Sequence, residues 1–192
     1  MPFTSVMGAQ SIIKPGVATS GTRPASPFNG QVLYETDTAK IVSWNGSAWV
    51  YGAAGKVLQV VTGIRDVAAT NNTSTLADTN LTATITPSST SSKILVVVSH
   101  SACRKSNANA ENRLYLVLQR NGVNIWVIND SAGYTGTAIY SYFSVGGSFL
   151  DSPASVAALT YKTQFMNPQN TADVIVQLSN NPSTIILMEI SA

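Results

Sequence analysis

The sixteen residues from Arg113 to Ile128, RLYLVLQRNGVNIWVI, constrain the fold more than any other stretch of this chain. Asn121-Gly122 supplies the two positive φ angles of a tight type I′ turn, so the segments on either side are expected to pair as an antiparallel hairpin. In the first of them Leu114, Leu116 and Leu118 fall on one face and Tyr115 and Val117 on the other, which reads as a strand buried on two sides. Val123 to Ile128, with Trp126, returns from the turn.

Further strands follow from the same pattern. Lys93 to Val98 is the most continuous aliphatic run, too short for an ordinary helix and rich in β-branched residues, and is expected to be a central strand covered on both faces. Strands are also expected over Lys56–Val61, Leu81–Thr86, Val156–Phe165, Val174–Leu178 and Ile185–Ile190, with a looser aromatic alternation at Ile139–Phe143. Val67 to Asn80 reads as a long surface loop or irregular edge, and Gly146-Gly147 as a bulge or close approach. About eight strands punctuated by turn residues, with no convincing helix, predict an all-β fold: an antiparallel β-sandwich of jelly-roll type over residues 56–192. A sandwich needs one apolar face per sheet, so strands apolar on both faces leave a face that a neighbouring subunit can cover.

Composition narrows the function classes. Charged residues make up 10% of the 192 positions and hydrophobic ones 44%, so the surface is polar without being charged, which suits burial against other chains. The net charge is +2, and Arg104-Lys105 is the single adjacent basic pair, read as part of a solvated loop; nucleic acid is not an expected partner. The single cysteine, Cys103, excludes an internal disulfide and a multi-cysteine zinc site. His100, the only histidine, lies three positions away near the end of a strand, where odd spacing places the two on opposite faces and argues against a catalytic pair. Met1–Gln10 lacks the pattern of a secretory signal, and no apolar run approaches the roughly 20 residues of a membrane span. Synthesis in a cytoplasm, without membrane insertion, is the expectation.

The first quarter of the chain differs in character. Residues 1–22 scatter Gly8, Gly16, Gly21 and Pro15 among small residues and show no periodicity. They read as an extended arm, either disordered or ordered on a partner, with Phe3, Val6, Ile12 and Ile13 as its anchoring side chains. Residues 23–55 read as a small β hairpin or meander with a hinge at 52–55. Asn29-Gly30 and Asn45-Gly46 mark its turns, Pro24 and Pro27 stiffen the approach, and Tyr34, Trp44 and Trp49 are its expected core.

The segment NGQVLYETDTAKIVSWNGSAWV (Asn29–Val50), with its Pro-flanked lead and Trp-Asn-Gly-x-x-Trp ending, resembles the adapter segment of tail-fibre and fibre-like proteins of tailed bacteriophages. Asp151-Ser152-Pro153 leading into TYKTQF, with the closing STIILMEIS, is similar to the final β domain of the same proteins. The order of elements is similar to jelly rolls of the tumour-necrosis-factor and complement-C1q type. These resemblances imply a virion protein made in the host bacterial cytoplasm, a homotrimer bound through residues 1–51 to another tail or capsid protein. A head-decorating protein is the implied alternative, and a carbohydrate-binding module or polysaccharide depolymerase a second.

No constellation of catalytic residues stands out. The nine carboxylates are dispersed apart from Glu35 and Asp37, which read as a solvated strand edge rather than an acid and base. No phosphate-cradling loop, nucleophile elbow or His/Cys metal spacing is present. Asn129-Asp130 and Asp151 offer oxygen ligands for calcium, though such residues usually cap local backbone. The expectation is a non-enzymatic protein without cofactor or metal. Tyr134, Tyr140 and Tyr142, among Asn and Ser, are the candidate surface contacts for a host glycan, against core or subunit packing as the commoner use.

Overall fold

A computed structural model describes residues 16–51, 56–169 and 172–191. The chain divides into two compact units, Met1–Ala54 and Gly55–Ala192. Among the described residues there is no α-helix.

The first unit is a four-stranded sheet in the order β1 (Gly16–Ala18), β2 (Val32–Glu35), β3 (Lys40–Trp44), β4 (Trp49–Tyr51). Gly16–Ala18, which the sequence assigned to the arm, is a strand: it pairs in parallel with β2, in register Gly16 with Leu33. A parallel partner brought back from before a long connection leaves no local signal in the sequence. The anchoring candidates Phe3, Val6, Ile12 and Ile13 lie outside the described residues.

The described residues of the second unit carry ten strands: β5 (Val57–Arg65), β6 (Ala69–Asn71), β7 (Ala77–Ile85), β8 (Lys93–Lys105), β9 (Leu114–Arg120), β10 (Val123–Ala132), β11 (Ser141–Asp151), β12 (Leu159–Met166), β13 (Val174–Val176) and β14 (Ser183–Ile190). One sheet runs β7-β12-β9-β10. The other runs β5-β14-β8-β11, with β13 and β6 continuing the β14 side of β8 at its far end. Among the described residues of this unit only β9–β10 joins paired neighbours through a tight turn, with Asn121 at φ 48° and Gly122 at φ 84°, while β7, β8, β9, β11 and β12 are each reached by crossing from the other sheet. This is a jelly-roll sandwich.

The core lies between the sheets. Leu81, Ile85, Leu118, Leu159 and Tyr161 from one sheet meet Ile94, Val96, Val98, Ile185 and Leu187 from the other. A second cluster around Cys103, Leu114, Leu116, Phe165, Val174 and Val176 fills the far end. Gly63 is needed where β5 passes β7, because a Cβ there would stand 2.0 Å from the Thr82 carbonyl oxygen.

Two local readings are refined. Half of Val67–Asn80 is strand, β6 and the start of β7, each at the edge of its sheet, and in β7 the exposed Asp78 and Asn80 alternate with inward Ala77 and Thr79. Gly146-Gly147 carries no bulge but allows close approach: a Cβ on Gly146 would lie 2.1 Å from the Val98 carbonyl oxygen. The bulge sits in the partner strand, where Ser101 and Ala102 oppose the single residue Ser144 and Ala102 takes φ 48°.

Candidate functional site

The outer face of the β5-β14-β8-β11 sheet is built from the residues that alternate with its core side. Register sets its rows: Val60–Met188–Leu95–Leu150, Thr62–Ile186–Val97–Ser148 and Ile64–Thr184–Ser99–Gly146. Val60 is 55% exposed, Ile64 68% and Leu150 50%, and Leu95, Val97, Ile186 and Met188 are partly exposed between them. The result is a surface of seven aliphatic side chains, densest in the first row and bordered by Thr62, Ser99, Ser148 and Thr184, without a charged side chain in these three rows. The opposite sheet turns a mostly polar face outward, interrupted by the paired Val117 and Val127. Lys162 Nζ donates to Asp78 Oδ2 at 3.0 Å, Gln164 Nε2 to Asp78 Oδ1 at 2.6 Å, and Gln119 Nε2 to both Asn124 Oδ1 and Gln164 Oε1 at 2.7 Å, while the Thr84 and Thr160 hydroxyls meet at 2.9 Å.

The three tyrosines divide between two places. Tyr142 pairs with Arg104 across β11 and β8, and its ring lies 6.5 Å from Tyr140, over which the Arg104 guanidinium sits at 5.2 Å. Tyr134 stands in the β10–β11 connection instead, its hydroxyl donating to Glu111 Oε1 at 3.1 Å. That carboxylate raises the Tyr134 pKa. With Arg113 and Ser131 these two residues line a cleft of about 220 Å³. Glu111, Arg113 and Ser131 were not singled out from the sequence: each belongs to a polar connection or strand end, and only the fold brings them together.

In the first unit the buried positions are Leu33, Glu35 and Val42, while Tyr34 alternates to the opposite, exposed face. Trp44 and Trp49 pair edge-to-face with centroids 5.7 Å apart and are partly exposed. Glu35 is not a solvated edge residue. Its carboxylate forms an ion pair with Arg23 and accepts hydrogen bonds from Thr38 at 2.9 Å and Tyr51 at 3.3 Å. The hydrogen bond from Arg23 leads the causes that lower its pKa. Asp37 accepts the backbone N–H of Ser20 at 2.9 Å, tying the segment after β1 to the β2–β3 turn.

The remaining reactive groups are held in structural roles. Because of the bulge at Ser101-Ala102, His100 and Cys103 both point into the core, contrary to strand parity. They form no side-chain pair: the imidazole bonds Thr163 Oγ1 at 3.0 Å and Gln177 Nε2 at 3.2 Å, and the thiol reaches the His100 carbonyl oxygen at 3.9 Å. Burial lowers the His100 pKa to about 4 and pushes the Cys103 thiol up to about 12. Arg104-Lys105 is the end of β8, not a solvated loop; Lys105 is fully buried, its Nζ donating to the Thr137 carbonyl at 2.9 Å. Asp151 receives Arg120 at 2.6 Å and the Tyr161 hydroxyl at 2.6 Å, and Asn129 Oδ1 accepts the Ser131 N–H at 2.9 Å. Among the described residues no group of three His, Cys, Asp or Glu side chains is placed to hold a metal ion. No protein-family model matches the chain, and no curated protein matches it significantly.

Proposed function

We propose that this chain is a non-enzymatic structural protein of a tailed-phage virion, a trimeric fibre or fibre-like appendage. Residues 1–51 attach it to another virion protein, and the jelly roll projects to meet the host surface. The observation that carries the reading is the aliphatic outer face of the β5-β14-β8-β11 sheet. At roughly 25 cal/mol per Å² of apolar area, leaving Val60, Ile64 and Leu150 in water forgoes stabilisation that packing against neighbouring copies provides. The adapter-like sequence of Asn29–Val50 supports the virion context. The engagement of Glu35, Asp151 and Glu189 by Arg23, by Arg120 and Tyr161, and by Ser88 and Gln59 supports a scaffold rather than a pair of catalytic carboxylates.

Light scattering of the purified chain tests the assembly, with the expected mass that of three chains. A monomer at micromolar concentration would remove the basis of the trimeric appendage. Immunogold labelling of particles tests the location: label on the tail agrees with the appendage, and label spread over the head replaces it with a decorating protein.

A further inference from the structure

We propose that the cleft between the β8–β9 connection and the β10–β11 connection is a binding subsite for one neutral pyranose ring of a saccharide. It deepens the attachment reading, on which it rests for the source of the ligand, and its geometry is independent of assembly. The cleft brings together what a sugar ring requires: an acceptor carboxylate, a multi-donor cation, a hydroxyl and an exposed aromatic face, from Glu111, Arg113, Ser131 and Tyr134. Its volume of about 220 Å³ is below that of clefts for drug-sized ligands, which run to roughly 300–1,000 Å³, and suits a single ring.

The two charges of the cleft do not neutralise each other. Arg113 forms no ion pair among the described residues; its Nη1 donates to the Glu111 main-chain carbonyl at 3.0 Å, which orients the guanidinium and leaves further N–H donors for a ligand. The Glu111 carboxylate is held by the Tyr134 hydroxyl at 3.1 Å, and the Glu111 N–H by Asn109 Oδ1 at 2.8 Å. An oriented acceptor beside an oriented donor matches a vicinal diol, in which one hydroxyl donates to the carboxylate while its neighbour accepts from the guanidinium. Tyr134, 47% exposed, offers its ring to the apolar C–H face of the sugar. Glu111 repels an anion where Arg113 attracts it, so the charges of the cleft give a uronic acid no net advantage and the diol-matching pair suits a neutral ring.

Saturation-transfer NMR on the full chain tests this with the methyl glycosides of glucose, galactose, mannose and N-acetylglucosamine, and with methyl glucuronide as the anionic control. At least one neutral glycoside is expected to bind with an affinity of about millimolar, as one ring provides. Glu111→Gln, Arg113→Met and Tyr134→Leu should each weaken it about tenfold or more, with far-UV circular dichroism unchanged and Tyr142→Leu without effect. No saturation of any neutral glycoside, saturation by the glucuronide alone, or equal binding by the three variants would overturn the proposal. Light scattering on the same samples separates the two readings. A trimer that takes up no glycoside sinks the cleft alone, and a monomer that binds one sinks the trimeric appendage alone.

Discussion

The two sheets of the jelly roll share a core but solve their outer faces in opposite ways. On β7-β12-β9-β10 the outward positions are mostly polar: Asp78, Thr82, Thr84, Thr160, Lys162, Gln164 and Gln119 surround the pair Val117 and Val127, and all but Thr82 of these seven make hydrogen bonds between side chains across the strands. On β5-β14-β8-β11 they are mostly aliphatic, Val60, Ile64, Leu95, Val97, Leu150, Ile186 and Met188, with Thr62, Ser99, Ser148 and Thr184 among them. At the positions named both faces alternate with the core side, so the difference is not a by-product of strand pairing; it is written residue by residue. A face of cross-strand hydrogen bonds is complete in water, whereas an aliphatic face is complete only when covered.

The largest effects belong to the inner side of the aliphatic sheet. Leu187 is fully buried between the sheets, and Leu187→Ala should cost about 2–5 kcal/mol in urea unfolding. Its neighbours along β14, Ile186 and Met188, point the other way, and so does Leu150 on β11. Leu150→Asp should change the stability of a single chain by no more than about 1 kcal/mol, yet lower the mass seen by light scattering toward one chain. Thr84→Asp, on the polar face, should leave the mass unchanged. If the effects of Leu150→Asp and Thr84→Asp on mass were alike, the contrast between the faces would lose its meaning for assembly.

Part of this contrast was legible in the sequence, for a physical reason. Strands apolar over consecutive positions, such as Ile94–Val98 and Ile185–Met188, carry more hydrophobic surface than one core face can absorb, so a second covered face follows from alternation alone. The Asn121-Gly122 hairpin was equally legible, because positive φ at two consecutive positions is costly for other residues. Parity beyond residue 100 was not. The bulge at Ser101-Ala102 reverses it without a glycine to announce it, so Cys103 and Lys105 turn inward instead of out. Nor was the cleft legible. Glu111 and Arg113 precede β9 while Ser131 and Tyr134 close β10, and nothing within either segment shows that the fold places them side by side. Tyr34 was expected in the core of the first unit, but strand parity gives that place to Leu33 and Glu35, a carboxylate made tolerable inside by Arg23.

A smaller effect concerns the polar seam inside the core. His100 on β8 reaches across to Thr163 on β12, one of the few polar contacts between the sheets. In the folded chain the ring takes up its proton only near pH 4, against 6.5 when unfolded. Between those values the unfolded chain binds more protons, so stability is full above 6.5, declines as pH falls toward 4, and levels off below. The decline amounts to roughly 3 kcal/mol from this one group. Urea unfolding of His100→Gln should lose that slope between pH 6.5 and 4, retaining the acid response of Glu189 at lower pH. Burial raises the Glu189 pKa, but hydrogen bonds from Ser88 and Gln59 outweigh it and hold the carboxyl near 2. Stability from Glu189 is therefore present above its ordinary value of 4.5 and lost as pH falls toward 2. An unchanged slope in His100→Gln would mean that the imidazole is not what the core excludes from charge.

The smallest effect lies on the polar face itself. Lys162 and Asp78 approach to 2.8 Å, but their side chains remain 30% and 44% exposed, so the pair works in a medium close to water. Lys162→Met keeps the aliphatic stem over the sheet and removes only the charge; it should cost no more than about 1 kcal/mol, and less still as salt is added. Asp78 is not orphaned by the change, since Gln164 Nε2 still donates to it at 2.6 Å. Each side chain on this face has a second partner or open solvent to fall back on, which is why the cost is small and why the face has no need of a neighbouring chain. The same substitution is therefore also a control on assembly. Were Lys162→Met to dissociate the oligomer while Leu150→Asp did not, the covered surface would be the hydrogen-bonded face, and the aliphatic one would have to be stable in water by some means that its residues do not supply.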